Sequence, residues 1–393
     1  MSTRAAAILF ALCVAAGTVS PEGFKNPPDG AAALGQAGAF VAQADDPSAV
    51  TANPAGLVQM RGQQLLLSLT TVFPSTRYET PGYAAERKTT PSFLPSLFYC
   101  TELSTERLRF GIGITPSFGQ TTSWPAETVR FWNDTAPVSA GMRTIGVTPV
   151  VAYAVSDSLS LGAGLTVYSS ELSVDQLLLL PGPVELPVAL RADGVGCAPS
   201  FGLLYRADRW QAGLAYHAAF SVDYGGKMVV PGLLRLPARS SIDFPHVVDA
   251  GVAFFPKRNW KVEADVEWLG WSCLEAIPVW VYGIPLPQPA RNWDNSLTIE
   301  AGTEITIRER VKIRAGAAFI QSPVPAETWE PGFPDADRVC VSLGIGVPAG
   351  RGTVDIAVVG SFFDTRAIHQ GAPYDGTFAS TAYFTAGSLR LPF

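Results

Sequence analysis

The residues that could do chemistry lie mostly in the second half of the chain, and they alternate. Lys261, Glu263, Asp265 and Glu267 take every second position of a stretch whose other positions are Trp260, Val262, Ala264, Val266 and Trp268. Glu300 and Glu304 alternate in the same way with Ile299, Ala301 and Ile305, and Lys312 and Arg314 with Val311, Ile313 and Ala315. A spacing of two puts such charges on one face of a strand, where they pair across to a neighbour or meet a charged ligand. With a turn centred on Glu309, Glu304 falls opposite Arg314 and can pair with it. One reading of these charges, with Asp355, is a structural network; the other gives Arg314 or Lys312 a ligand carboxylate to bind. Catalytic and metal-binding patterns are not found. His217, His246 and His369 have no metal-ligand spacing and no serine and acid arranged around them, and Gly344-Ile345-Gly346 lacks the strand-then-helix context of a dinucleotide loop. The expectation is a protein that is not an enzyme and holds no metal or cofactor.

The elements that position these charges are strands. From Gln63 to Phe393 period-2 alternation dominates. Fourteen strands are expected, near 63–73, 92–102, 107–118, 143–155, 159–172, 195–206, 209–222, 246–256, 259–272, 296–308, 310–321, 338–348, 352–364 and 380–393. Their connections alternate long and short, with tight turns such as Ala207–Asp208 and Lys257–Arg258 set against stretches such as 173–194 and 223–245. Long outer loops and short periplasmic turns are the habit of outer-membrane barrels, which have even strand numbers. Only 16% of residues are charged against 47% hydrophobic, too little charge to clothe a soluble chain of this length. Beyond the N-terminus no apolar run reaches the ~20 residues of a membrane helix. The fold class is therefore an all-β membrane protein: an antiparallel transmembrane barrel of about fourteen strands in the bacterial outer membrane. The polar face is rich in small residues (Gly111, Gly113, Thr144, Gly146, Gly162, Gly164), as a crowded interior would be, and aromatics such as Tyr153, Tyr205, Trp260 and Trp268 sit near strand ends. Pro95, Pro116, Pro149 and Pro199 recur in similar short motifs. They should mark bulges or strand ends, since proline cannot donate to a ladder.

Arg4 followed by the apolar stretch Ala5–Ala16 reads as a secretory signal over residues 1–20. Cys100, Cys197, Cys273 and Cys340 match no zinc spacing, and three of them fall inside expected membrane strands. A net charge of −6 argues against nucleic acid as a partner. Alternating Tyr383, Thr385, Gly387, Leu389, Leu391 and terminal Phe393 form a last strand of the kind the barrel-insertion machinery reads.

Residues 21–62 do not alternate. Ala31–Ala42 is weakly helical, Asp46-Pro47 looks like a helix start, and Asn53-Pro54-Ala55-Gly56 ends that short helix. The run from Asp29 to Ala39, then Asp45-Asp46-Pro47-Ser48-Ala49-Val50, then Asn53-Pro54-Ala55-Gly56-Leu57 resembles the N-terminal hatch of FadL-type transporters, a family of long-chain fatty-acid and TodX-like aromatic-hydrocarbon channels. The resemblance implies a hatch over residues 21–62 plugging a barrel over residues 63–393. It also implies a hydrophobic ligand captured by outer loops, held near the hatch and released sideways through the barrel wall.

Three outer segments are unusually apolar: Leu177, Leu178, Leu179 and Leu180; Met228, Val229, Val230, Leu233 and Leu234; and Ile277–Ile284. Exposed apolar runs usually mark binding sites, and in the family the third and fourth outer loops, which hold the first two runs here, form the first ligand groove. The expected function is passive uptake of hydrophobic small molecules, long-chain fatty acids first, with aromatic or alkane hydrocarbons as the alternative. A general porin and a structural or adhesive barrel are the rivals. Expected partners are the hydrophobic ligand, outer-membrane lipid and the insertion machinery, with the barrel itself a monomer.

Overall fold

The computed structural model describes residues 22–103, 105–133, 136–179 and 185–393. The expected signal, residues 1–20, and Leu180 lie outside them, as do the side chains of Leu178 and Leu179. Fourteen strands form the wall. They are β1 (Gln63–Thr80), β2 (Ser92–Glu102), β3 (Leu108–Ser123), β4 (Ser139–Ala154), β5 (Leu159–Leu179) and β6 (Glu185–Arg206). Next come β7, in two segments (Trp210–His217 and Phe220–Val230), β8, also in two (Leu234–Phe244 and Val247–Lys257), and β9 (Trp260–Leu269). The last are β10 (Ser296–Ile307), β11 (Val311–Ile320), β12 (Arg338–Ala349), β13 (Gly352–Phe363) and β14 (Gly376–Pro392). Each pairs antiparallel with the next, and β1 closes on β14 from Gln64 opposite Pro392 to Glu79 opposite Thr377. Closure leaves no edge, which is what a backbone immersed in lipid requires.

Burial decides which face is which. On β10, Ile299 is 55% exposed while Thr298 is 1% exposed, and on β12 Leu343 is 62% exposed beside Ser342 at 4%. The apolar side chains therefore face outward as a lipid-contacting band, and the polar and small ones face the lumen. Tyr153, Tyr205, Trp210 and Trp260 lie exposed beside the short turns, one rim of an interfacial girdle.

The long connections are not free loops. β5 and β6 stay paired from Leu159–Tyr205 out to Leu179–Glu185, and β7 and β8 from Phe220–Phe244 out to Val230–Leu234. The expected ends near 172, 195 and 222 are thus corrected: these strands continue well past the membrane band as protruding hairpins. A third small hairpin, Val279–Val281 with Ile284–Leu286, adds to the outer edge of β8. Among the described residues Cys100, Cys197, Cys273 and Cys340 are free.

Residues 22–62 run inside the cylinder. They carry α1 (Ala31–Leu34), α2 (Ala49–Ala52) and a 3-10 turn, Pro54–Gln59. The expected helix start at Asp46-Pro47 shifts to Ala49. Asp46 Oδ1 first accepts the Ser48 amide at 2.8 Å and hydroxyl at 2.6 Å, an Asx turn that leads into the helix. Asn53 does more than end that helix. Its Oδ1 caps the next turn by accepting from Ala55 N, and its Nδ2 donates to Val41 O at 2.9 Å and to Leu203 O of β6 at 3.1 Å. The wall glycines permit this approach. A Cβ at Gly202 would lie 2.3 Å from Asn53 Oδ1, and one at Gly162 only 2.4 Å from the Pro54 carbonyl carbon.

Candidate functional site

Two anchors hold the segment in place. Glu263 Oε1 accepts the Ala42 and Gln43 amides at 2.7 and 3.1 Å, and Asp265 Oδ2 accepts those of Phe40 and Val41 at 2.8 and 3.0 Å. Four consecutive backbone donors thus meet two carboxyls two residues apart on β9. Below them, Arg314 Nε donates to Glu304 at 2.8 Å and Nη1 to Asp355 at 2.7 Å, while Lys261 and Lys312 each stand 3.2 Å from the other Glu304 oxygen. Lys261 also reaches Asp45 at 2.5 Å, which ties the network to the segment. The pairing of Glu304 with Arg314 is as expected from the turn. Arg314 is 2% exposed, flanked by carboxylates and absent from the cavities described below. Arg314→Ala would leave buried Asp355 without its partner while Glu304 keeps Lys261 and Lys312, and is expected to cost about 3 kcal/mol of barrel stability. Urea unfolding in detergent measures this; a loss below about 1 kcal/mol would remove the network from the list of stabilising contacts.

Above the anchors lies a cavity of about 150 Å³. Its floor is Ala33, Phe40, Val41 and Ala52 of the N-terminal segment, and its ceiling is Phe118 and Tyr168. Phe118 packs on Phe244 with ring centroids 5.0 Å apart, and Tyr168 stacks on Phe220 at 3.9 Å. A smaller cavity of about 60 Å³ adjoins it, sharing Lys25, Asn26, Pro27, Pro28, Glu267 and Glu300.

The apolar ceiling continues upward along the inner face of the protruding hairpins. Leu172, Ala192 and Tyr224 pack into the aromatic cluster. One row further out, Met228 stands beside Leu190 and Leu236. The expected apolar run is thereby split by strand alternation. Met228 and Val230 are partly or fully buried, whereas Leu233 and Leu234 are exposed at the hairpin tip. Leu177 is half-buried and pairs with Pro187. The structure therefore brings Met228 and Val230 to the top of an apolar inner wall, leaves Leu233 and Leu234 at its outermost end, and keeps Arg314 apart at the other end.

At the side of the larger cavity the wall loses its pairing. The β2–β3 ladder runs from Glu102–Arg109 to Leu97–Ile114 and stops, although β2 stays paired with β1 up to Ser92, and β3 with β4 up to Ser123. Continuing the register would set Pro95 opposite Pro116. Both lack the N–H a rung needs, and prolines are confined to edges; here they create one. β3 also shifts register between Pro116 and Phe118. On β4 and β6 the rungs beside Pro149 and Pro199 are likewise interrupted; the bulge expected of these prolines is found at Pro116, while Pro95, Pro149 and Pro199 lie within strands and break the ladder on one side only.

The N-terminal segment occupies the inner flank of this unpaired stretch. Asn26 N donates to Ser117 O at 3.2 Å, Asn26 Nδ2 to Pro116 O at 2.8 Å, and Gly119 N to Phe24 O at 2.7 Å. On the β2 side, Ser96 donates to Asp29 at 2.5 Å. Phe24 sits among Trp271, Trp293 and Phe333, and Lys25 pairs with Glu267. Burial and the nearby Glu267 push the Glu22 carboxyl up to about 7, and burial pushes Asp29 up to about 6. Burial works against the Lys25 ammonium, but Glu267, Asp249 and Glu22 outweigh it and hold Lys25 above its ordinary value. Residues 24–28 were not singled out in the sequence reading. Their one legible signal was Lys25-Asn26-Pro27-Pro28, polar and rigid in a stretch otherwise small and apolar.

A closed barrel plugged by its own N-terminal segment, with lipid-facing strands, a luminal cavity and an unpaired strip of wall, defines an outer-membrane channel for small molecules. The chain belongs to the family described as "Outer membrane protein transport protein (OMPP1/FadL/TodX)", whose model matches residues 12–393. That family consists of transport channels and not enzymes, and the protein is an outer-membrane β-barrel that transports hydrophobic compounds. It is 22% identical to a long-chain fatty acid transport protein of Salmonella typhi over 89% of each chain. A crystal structure of a Pseudomonas aeruginosa FadL homologue superposes with a TM-score of 0.84 at 21% identity, covering 94% of this chain and all of that one. The Pseudomonas putida toluene transporter TodX gives 0.72 at 17% identity over 95% of this chain and 99% of that one. The Ralstonia pickettii toluene transporter TbuX gives 0.72 at 18% over 93% and 98%.

Proposed function

We propose that the barrel takes up hydrophobic small molecules passively along one route. Molecules are captured at the protruding hairpins around Leu177–Leu180, Met228–Val230 and Leu233–Leu234, held in the cavity over the N-terminal segment, and released sideways between β2 and β3. In this reading residues 1–20 are removed as a signal, residues 21–62 act as the hatch, the barrel works as a monomer, and β14 is read by the insertion machinery. The observation that carries it is the continuity of apolar lining from the hairpins to Phe118, beside Pro116 at the unpaired wall. Moving a chain molecule along such a lining recovers about 0.8 kcal/mol per buried CH₂, so no energy source is needed.

Long-chain fatty acids, the first expectation, draw support from the similarity to the Salmonella typhi protein, and aromatic hydrocarbons from the similarity to the two toluene transporters. Hydrocarbons ask nothing of Arg314, which Glu304 and Asp355 already engage. A general porin is disfavoured because residues 22–62 fill the lumen where water would pass. The test is native mass spectrometry of the purified barrel with a long-chain fatty acid, its methyl ester, toluene and a disaccharide. At least one hydrophobic molecule should bind and the disaccharide should not, and Leu233→Asp with Leu234→Asp should slow the uptake of that molecule. Binding of the disaccharide alone would favour the porin, and binding of nothing the adhesive barrel.

A further inference from the structure

The larger cavity is apolar in its ceiling and floor but unusual in the sign of its polar wall. Five carboxyl side chains line it, those of Asp29, Asp249, Asp265, Glu267 and Glu300, against one ammonium, Lys25, and one imidazole, His217. Most of these groups are already spent. Lys25 is paired with Glu267, Asp29 accepts from Ser96 and Thr51, and Asp265 accepts from Phe40 and Val41. Of the acceptors left, two border both cavities. Glu300, on β10, makes no hydrogen bond or ion pair among the described residues and borders both cavities. Asn26 also borders both; its Nδ2 is used by Pro116 O, while its Oδ1 is buried with no partner and the residue is only 6% exposed. A buried acceptor left unpaired is destabilising, and a ligand that donates to it removes that cost. An ionised carboxylate would instead bring a sixth acceptor and a negative charge to a wall with no free cation.

We propose that this cavity selects apolar molecules whose head donates a hydrogen bond, amines best and alcohols next, with Glu300 and Asn26 Oδ1 as the acceptors, and that it rejects carboxylate anions. This rests on the transport reading above, assigns the head-group chemistry of the same site and sets it against the fatty-acid branch of that reading. The apolar part lies between Phe40 and Val41 below and Phe118 and Tyr168 above, and the head turns toward β10.

Ring molecules of one size separate head from body: benzylamine, benzyl alcohol, toluene and benzoate, titrated against the full barrel in a nonionic detergent with empty micelles subtracted. Benzylamine and benzyl alcohol should each bind at least about tenfold more tightly than benzoate, a factor equal to about 1.4 kcal/mol, and more tightly than toluene. Glu300→Gln keeps the shape of the side chain and removes its capacity to ionise. It should abolish the advantage of benzylamine over benzyl alcohol. Because the ranking of the four molecules is read on the unaltered barrel, the proposal stays exposed even if the variant fails to fold. Benzoate binding as well as benzyl alcohol, or Glu300→Gln leaving the amine advantage intact, would overturn the proposal while toluene binding kept the transport reading. Binding of none of the four would overturn both.

Discussion

Replacing Pro95 and Pro116 together by valine should cut uptake of a hydrophobic substrate at least about tenfold, a change worth ~1.4 kcal/mol on the transport barrier. The β2–β3 ladder stops at Leu97–Ile114, just short of the place where the two prolines would face each other. Valine restores both N–H groups and favours extended backbone. The backbone of Ser92–Ser96 can then compete for β3 with residues 24–26, which now bond to Pro116, Ser117 and Gly119, and each rung contributes about 0.5–1.5 kcal/mol. A net gain of two rungs over the bonds displaced is enough for the barrier change. Because Pro116 also borders the cavity, binding in detergent should be measured beside uptake into proteoliposomes. The expected signature is a large loss of uptake with binding reduced by less than about threefold, under ~0.7 kcal/mol. Equal losses in both would mean that the substitutions damaged the cavity, and unchanged uptake would mean that the substrate leaves elsewhere.

Removing the two carboxyls that hold the N-terminal segment should open the barrel to ions. In Glu263→Ala with Asp265→Ala, the amides of Phe40, Val41, Ala42 and Gln43 lose their acceptors together. A buried donor left unpaired costs about 1–3 kcal/mol, so even with strong non-additivity the segment loses several kcal/mol of anchoring. Most strand pairing lies outside the anchor and should survive, so the variant should keep its heat-modifiable mobility on a gel. In planar bilayers it should show frequent ion-conducting steps where the parent is nearly silent. The amide pair Glu263→Gln with Asp265→Asn retains neutral acceptors and should fall between the two. A double-alanine variant as silent as the parent would show that Asn53, Lys261 and the wall glycines hold the segment without help from β9.

Much of the wall was legible because one physical rule repeats along it. A strand between lipid and lumen must alternate, so Trp260–Trp268 announced both its faces, and the spacing of Glu304 and Arg314 about Glu309 announced their pairing. The rule weakened where lipid ended. Met228, Val229 and Val230 are apolar in succession and read as a loop, yet they are strand; above the membrane band both faces of a hairpin can be apolar, so period 2 leaves no mark. The prolines were legible as ladder breaks one at a time. That Pro95 and Pro116 face each other depends on the register of two strands, which no local pattern states.

The sequence by itself therefore determined the barrel, its strand number and its inward charges, since each follows from spacing of two to ten residues and from the demand that lipid meet only apolar side chains; the plug was expected from the resemblance of residues 29–57 to the family's hatch. Only the tertiary structure decided the site. Closing the cylinder brings Asn26 beside Glu300 and Pro116, and Ser96 beside Asp29, contacts across long stretches of chain whose geometry is set by closure and by the fit of residues 22–62 against glycine-lined strands. The cavity and the unpaired wall arise where those distant constraints meet.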